Sequence, residues 1–141
     1  MEQTNKDLDK YLLEIKDKHE QIPFWKYIGM KVESVSENNS VISLQINPEI
    51  HTNSHATTHG GIYASLLDSV MGLTIKSLES NPVVTTQLSI HFLSSASKGT
   101  ITAIGKVVHR TNSTFTTQGE VKDQEGNLLA YSTASFLKIK K

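Results

Sequence analysis

The sequence predicts an α+β fold in which a curved antiparallel sheet of about six strands wraps around one long central helix. About six segments alternate apolar and polar residues, as strands with one buried face do, and mostly short turns separate consecutive ones, which favours antiparallel pairing. One strongly apolar helical segment, residues 58–78, follows the second strand. Because such a helix needs a sheet to cover it, we expect it at the centre of the fold.

Length and composition limit what the chain can be. Its 141 residues, 37% of them hydrophobic, predict a single domain, residues 1–141, with one core. Fourteen basic and fourteen acidic residues cancel, so the charge favours neither a nucleic acid nor a membrane surface as a partner. The absence of cysteine excludes disulfides and thiolate chemistry. A polar N-terminus and the lack of a long apolar run lead us to expect a cytoplasmic protein.

Residues 1–22 are expected to form an N-terminal helix outside a core of residues 23–141. Apolar side chains recur at helical spacing from about residue 7 to residue 20, and Pro23 ends the pattern. The aromatic cluster after the proline would pack the helix against the core or, alternatively, form a lid over a substrate pocket. The cluster comprises Phe24, Trp25 and Tyr27.

The strand-like segments share a period of two. In the second of them, Ile42, Leu44 and Ile46 alternate with polar residues, which gives one buried face. Asn81 and Pro82 end the helical segment before the third strand. The predicted strands are residues 30–36, 41–47, 83–93, 101–109, 115–122 and 128–138.

The stretch around which the chain is organised is residues 53–68. His59 is followed by Gly60 and Gly61, and then by the apolar helix. Adjacent glycines just before a helix allow close approach of the backbone and leave N–H groups free. The helix dipole adds to these donors, so we predict a receptor for an anion or a developing oxyanion.

The same helix carries one carboxylate, Asp68, on a narrow face of small residues. Apolar side chains cover well over half of the helix circumference, and the remaining arc holds Gly61, Ser65, Asp68 and Gly72. An unpaired buried carboxylate costs several kcal/mol. Pairing with a lysine, or hydrogen bonds from Ser and Thr hydroxyls, would explain Asp68 structurally. Its position two turns after the paired glycines favours a catalytic carboxylate instead.

These motifs resemble those of the hotdog-fold acyl-CoA thioesterases of the phenylacetate-type branch, within the 4-hydroxybenzoyl-CoA thioesterase-like superfamily. The resemblance covers the chain from about residue 23 to residue 136. It implies the hotdog fold and hydrolysis of an acyl-coenzyme A to the free acid and CoA. It also implies no cofactor, since coenzyme A is part of the substrate, and no metal. The matching residues are Asn53, His59, Gly60, Gly61, Leu66, Asp68, Val84, Thr85, Phe92, Leu93, Ser94, Ala96 and Gly99.

The resemblance also assigns roles to individual residues. The backbone N–H of Gly60 would polarise the thioester carbonyl as the oxyanion donor. Asp68 would attack that carbonyl as nucleophile or activate water as general base. Asn53 would position the reacting groups, and Thr85 would support the carboxylate.

Three more residues are expected to contact the substrate. His59 and Gly61 complete the turn, His59 as a structural residue or orienter of the loop rather than a general base. Arg110 would bind the phosphates of coenzyme A or, alternatively, lie in an exposed turn. The chain departs from the family pattern at Ala56, where the family usually has Gly, and at Ser95, where it usually has Pro. The first departure predicts a different backbone path before the turn.

Other interpretations of the same residues remain open. His51, His55 and His59 recur every four residues and would line one helix face as zinc ligands, but the surrounding Asn, Ser and Thr disfavour a helix there. A Ser-His-Asp hydrolase would need the G-x-S-x-G motif, which the sequence lacks. A hotdog hydratase would use a His with an acid. A non-catalytic acyl-CoA-binding protein is the main alternative to the enzyme.

The spacing of Gly60 and Asp68 predicts an active site shared between two copies of the chain. Eight residues along a helix span about 12 Å, whereas a reacting carbonyl must lie about 3 Å from both groups. A second, antiparallel copy across a two-fold axis can bring the two groups together. The resemblance implies the same homodimer, or a homotetramer built as a dimer of dimers, with Asn53 on the Gly60 side and Thr85 on the Asp68 side.

Overall fold

A computed structural model describes residues 2–140, without the side chains of residues 2–5 and of Leu8. Residues 1 and 141, which the predicted domain includes, lie outside this range. The elements are, in chain order, α1 (Glu2–Glu20), α2 (Pro23–Ile28), β1 (Lys31–Ser36), β2 (Asn39–Gln45), α3 (Pro48–His51), α4 (Gly60–Lys76), β3 (Val83–Phe92), β4 (Thr100–Arg110), β5 (Thr114–Lys122) and β6 (Leu128–Lys138).

The six strands form one antiparallel sheet in the order β1-β2-β4-β5-β6-β3, as the alternating segments predict. The chain crosses from β2 to the opposite edge through α4, so β3 pairs with β6 and leaves its other edge free within the chain. Register shifts leave an extra residue in β1, β3, β4 and β6. Such irregularities bend strands, which suits a sheet that curves around a helix.

Helix α4 forms the centre of the core, as predicted. Leu66, Leu67 and Met71 are fully buried against the sheet. The helix packs directly on the β4 backbone at Gly105, where an added Cβ would lie 2.7 Å from the carbonyl oxygen of Val70. A glycine is therefore required there by close approach rather than by a turn.

The bounds of α4 differ from the predicted range in a way that matters for function. The helix starts at Gly60 rather than before it, so Gly60 and Gly61 form its first turn and do not precede it. It ends at Lys76. No helix among residues 2–140 is long and apolar enough to cross a membrane.

The N-terminal helix ends at Glu20, as predicted, but Pro23 then starts the short helix α2 at its first position. Proline fits there because a first-turn N–H has no partner within the helix. The aromatic cluster is divided as a result. Trp25 is buried, whereas Phe24 and Tyr27 are exposed, so only Trp25 fulfils the packing role.

Two contacts fix α1 to the rest of the fold. The Glu20 carboxylate accepts the backbone N–H of Val32 at the start of β1, at 2.7 Å. The Tyr11 hydroxyl donates to the carbonyl of Lys76 at the C-terminal end of α4, at 3.0 Å. The second contact places α1 beside the C-terminal end of α4.

Candidate active site

The loop before α4 is organised by the side chain of Asn53. Its Oδ1 accepts the backbone N–H groups of His55 and Thr57, at 2.9 and 3.2 Å. Its backbone N–H donates to the carbonyl of Thr57, which closes the loop on itself. The Asn53 amide therefore builds the loop that leads to Gly60.

Ala56 occupies the position where the resemblance expects glycine, and its φ is 62°. A left-handed backbone favours glycine and is costly for a residue with a Cβ, by roughly 1–2 kcal/mol. Ala56 thus has a backbone conformation that a glycine would adopt easily. The predicted difference in backbone path from the family stays a prediction.

The start of α4 offers one free backbone donor. The imidazole Nδ1 of His59 accepts the N–H of Gly61 at 2.8 Å, so His59 caps the helix with its own ring. The N–H of Ile62 donates to the carbonyl of His59. Among residues 2–140, the N–H of Gly60 has no acceptor. The sequence predicts two free donors, the N–H groups of Gly60 and Gly61. Only that of Gly60 is free, because the Gly61 N–H donates to the His59 ring.

Gly60 opens into a cavity of about 340 Å³, which we call the Gly60 cleft. The exposed ring of Phe92 covers one side, since a Cβ on Gly60 would lie 3.2 Å from its Cε1. The buried Tyr63 hydroxyl accepts the N–H of Ala96, and burial raises the pKa of this phenol. The cleft is lined by Asn53, Thr57, Thr58, Gly60, Tyr63, Phe92, Leu93, Ser94 and Ser95.

Asp68 contacts Thr85 across the junction between α4 and β3. The Thr85 hydroxyl donates to Oδ1 of Asp68 at 2.7 Å, and a register shift in β3 lies between Thr85 and Gln87. No other hydrogen bond to the Asp68 carboxylate, and no ion pair, is formed by the described side chains. A hydroxyl contact of this kind is compatible with a structural carboxylate and with a positioned catalytic one. The second oxygen, Oδ2, is left available for chemistry.

A separate cavity of about 250 Å³, the Asp68 cleft, adjoins this carboxylate. It shares no wall residue with the Gly60 cleft. Within one chain, Gly60 and Asp68 therefore open into different cavities. The walls of the Asp68 cleft are His19, Trp25, Asp68, Ser69, Gly72, Leu73, Lys76, Pro82, Val83 and Phe136.

His19, in the Asp68 cleft, has no motif that marks it in the sequence. Its Nδ1 donates to the carbonyl of Ile15 at 2.8 Å, and its ring stands edge-on to Trp25 at 5.5 Å. Burial lowers the pKa of this imidazole, so it is neutral near pH 7. It belongs to α1, which the resemblance to the family does not cover.

Arg110 lies at the end of β4, apart from both clefts. Its Nη2 is 3.8 Å from Oε2 of Glu79, and its guanidinium carbon lies 5.4 Å from the centre of the Phe115 ring. Lys138 approaches the same carboxylate, at 3.3 Å. The structure therefore does not bring Arg110 together with Gly60 or Asp68.

The three histidines at fourfold spacing do not share a helix face. His51 is buried in α3, where its Nδ1 accepts the N–H of Asn47 at 2.8 Å and its Nε2 donates to the carbonyl of Ile28 at 2.7 Å. His55 is exposed in the loop, and His59 caps α4. Within the described part of the chain, no three His, Asp or Glu side chains are arranged to hold a metal ion.

Comparisons with known proteins find similar sequences and similar structures. Residues 55–130, just over half of the chain, match the family described as the thioesterase superfamily. A candidate esterase of Saccharolobus solfataricus is 30% identical over 128 residues, which cover 90% of this chain and 89% of that protein.

Solved structures superpose closely. The PaaI protein of Escherichia coli, from its phenylacetic acid degradation operon, does so with a TM-score of 0.82 at 24% identity, over 88% of this chain and 89% of that one. The TT0310 protein of Thermus thermophilus does so with a TM-score of 0.78 at 25% identity, over 84% and 99%.

Proposed function

Because the chain belongs to the thioesterase superfamily and has the hotdog fold, we propose that it hydrolyses the thioester bond of an acyl-coenzyme A to the free acid and CoA. The observation that carries the proposal is the environment of Asp68. One carboxylate oxygen is held by Thr85 and the other lacks a hydrogen-bond donor among the described residues. A carboxylate fixed in this way, at the wall of a cavity, suits a general base or a nucleophile.

The free N–H of Gly60 supplies the second requirement of the reaction. A thioester carbonyl gains negative charge on its oxygen as it is attacked, and a fixed N–H at the positive end of a helix stabilises that charge. The His59 cap holds the first turn of α4 and so fixes the direction of the donor. Asn53 acts through the loop, and its remaining amide hydrogen is available to the substrate.

The two groups combine in a balanced reaction. As general base, Asp68 removes a proton from water while the water oxygen bonds to the carbonyl carbon. The Gly60 N–H stabilises the tetrahedral oxyanion. Collapse of that intermediate breaks the carbon–sulfur bond, and the leaving thiolate takes the proton from Asp68. As nucleophile, Asp68 instead bonds to the carbonyl carbon, the carbon–sulfur bond breaks, and CoA leaves as its thiolate. Water then cleaves the resulting mixed anhydride to the free acid and the Asp68 carboxylate, and the proton released goes to the thiolate.

Two copies of the chain are needed for this chemistry. Gly60 and Asp68 lie in one helix but line different clefts. The two clefts share no wall residue. The edge strand β3 is largely exposed in the single chain, including Val84 and Phe92. An exposed apolar edge favours association with another strand. We propose a homodimer in which the Gly60 cleft of one chain meets the Asp68 cleft of the other.

The experiment that tests the activity is release of free thiol from a panel of acyl-CoA esters with short, medium, long and aromatic acyl groups. We expect hydrolysis of at least one class, with free acid formed in equal amount to CoA. The same panel, titrated by calorimetry, measures binding. Tight binding of an acyl-CoA without thiol release from any ester would contradict the enzyme and favour the non-catalytic acyl-CoA-binding protein.

A further inference from the structure

A cavity of about 430 Å³ lies between α1 and the C-terminal end of α4, outside the Gly60 cleft. We call it the α1 cavity. Tyr11, Ile15 and Ile22 give it apolar walls, and the aliphatic stems of Lys18 and Lys76 add to them. The remaining lining residues are Glu14, His19 and Ser80. Most of the surface that lines the cavity is apolar, so the cavity suits an apolar occupant.

The α1 cavity adjoins the Asp68 cleft. His19 and Lys76 line both cavities, so these two side chains form the partition between them. A group bound at Asp68 therefore has an apolar volume directly beyond the partition. The Asp68 cleft alone, at about 250 Å³, is smaller than typical small-molecule sites of roughly 300–1,000 Å³.

Of the two side chains in the partition, His19 is held in place and Lys76 is free to move. His19 is held by the Ile15 carbonyl and by the edge of Trp25, and its burial lowers the pKa of the imidazole and keeps it uncharged near pH 7. Lys76 is partly exposed in the last turn of α4, and its long stem allows the ammonium group to move into solvent. Movement of Lys76 would enlarge the passage along the neutral face of His19.

We propose that the acyl chain of the substrate runs from Asp68 past His19 and Lys76 into the α1 cavity, which makes linear medium- and long-chain acyl thioesters the preferred class. This inference rests on the proposed function. Two cavities in series accommodate a narrow, flexible chain. An aromatic ring would end in the Asp68 cleft and gain nothing from the volume beyond it. Residues of α1 and of the turn after it then determine the length of chain that binds.

Ile22 provides the sharpest test of the inference. It lines the α1 cavity but not the Asp68 cleft, and it is 38% exposed in the turn before α2, so a larger side chain can be tolerated. Binding is measured by calorimetry with butyl-CoA and dodecyl-CoA, thioethers that cannot be hydrolysed. We expect Ile22→Trp to lower the affinity for dodecyl-CoA by roughly tenfold or more. This loss is equivalent to excluding about two methylenes of the chain from the cavity. Butyl-CoA should bind as it does to the parent protein.

Leu13→Trp is the matched control, because Leu13 is exposed on α1 and lines a different surface. This variant should bind both thioethers normally. Equal binding of the two thioethers by the parent protein, equal loss of both in Ile22→Trp, or tighter binding of phenylethyl-CoA than of dodecyl-CoA would overturn the inference. Selective dodecyl-CoA binding without thiol release from any ester would instead overturn only the proposed hydrolysis.

Discussion

Replacement of Asp68 by Asn is expected to lower the kcat of thioester hydrolysis by about 10²-fold or more, with little change in thermal stability. Asn has almost the same shape, and its amide oxygen can still accept the Thr85 hydroxyl, which lies 2.7 Å from Oδ1 of Asp68. An amide can neither remove a proton from water nor attack the carbonyl carbon. The measurement is thiol release at saturating substrate, together with a melting temperature for each protein.

Asp9→Asn is the matched control, because Asp9 is exposed on α1 and lines no described cavity. It removes the same charge from a position outside the proposed site, and we expect parental kinetics. A purely structural role for Asp68 predicts the opposite pattern. In that case the Asn variant would lose stability and retain near-normal turnover, and the catalytic assignment would be wrong.

Replacement of Gly60 by Pro is expected to lower kcat by roughly 10²–10³-fold, the usual effect of losing one oxyanion donor. Proline removes the single free N–H at the start of α4 and is otherwise suited to the position. Gly60 is the first helical residue, where proline is favoured, and His59 has a ψ of 138°, which a residue before proline prefers. Side-chain truncation cannot test a backbone donor, whereas this substitution deletes it.

Gly60→Ala distinguishes the effect of losing the N–H donor from the effect of the added side-chain volume. Alanine and proline both place a Cβ toward the Phe92 ring, at about the 3.2 Å seen for an ideal Cβ, and the exposed ring can move aside. Only proline lacks the N–H. We therefore expect the alanine variant to be far more active than the proline variant. Similar kinetics for the two would show that crowding, and not the hydrogen bond, explains the loss.

Much of the fold follows from periodicity in the sequence. Alternation located all six strands, and the apolar surface of residues 60–76 located the central helix. Five strands alternate because one face packs on the core, whereas β3 alternates although its residues are half-buried or exposed within the single chain. Helix α3 was not predicted, because its four residues are too few to show a period. The start of α2 at Pro23 was also missed, because proline ends one helix and begins another equally well.

The site was predictable only where chemistry is marked by residue type. Gly60 and Asp68 stand out as a turn and a lone acid, whereas Thr85 was assigned only through the resemblance to the family. The cap at His59 is not marked in the sequence, because histidine is not among the usual N-cap residues. Its hydrogen bond with the Gly61 N–H occupies a donor that we predicted to be free. His19 is likewise unmarked, since its place in the Asp68 cleft depends on how α1 packs against α4.

Subunit complementation tests the central claim, an active site that takes Gly60 from one chain and Asp68 from the other. Asp68→Asn and Gly60→Pro chains are expressed separately and together, and the specific activity of each preparation is measured. A mixed dimer would carry one site with both groups intact and one with both lesions. Random pairing then predicts about a quarter of the parental activity from two nearly inactive chains. Coexpressed protein as inactive as its parents, or an active monomer, would contradict the shared site.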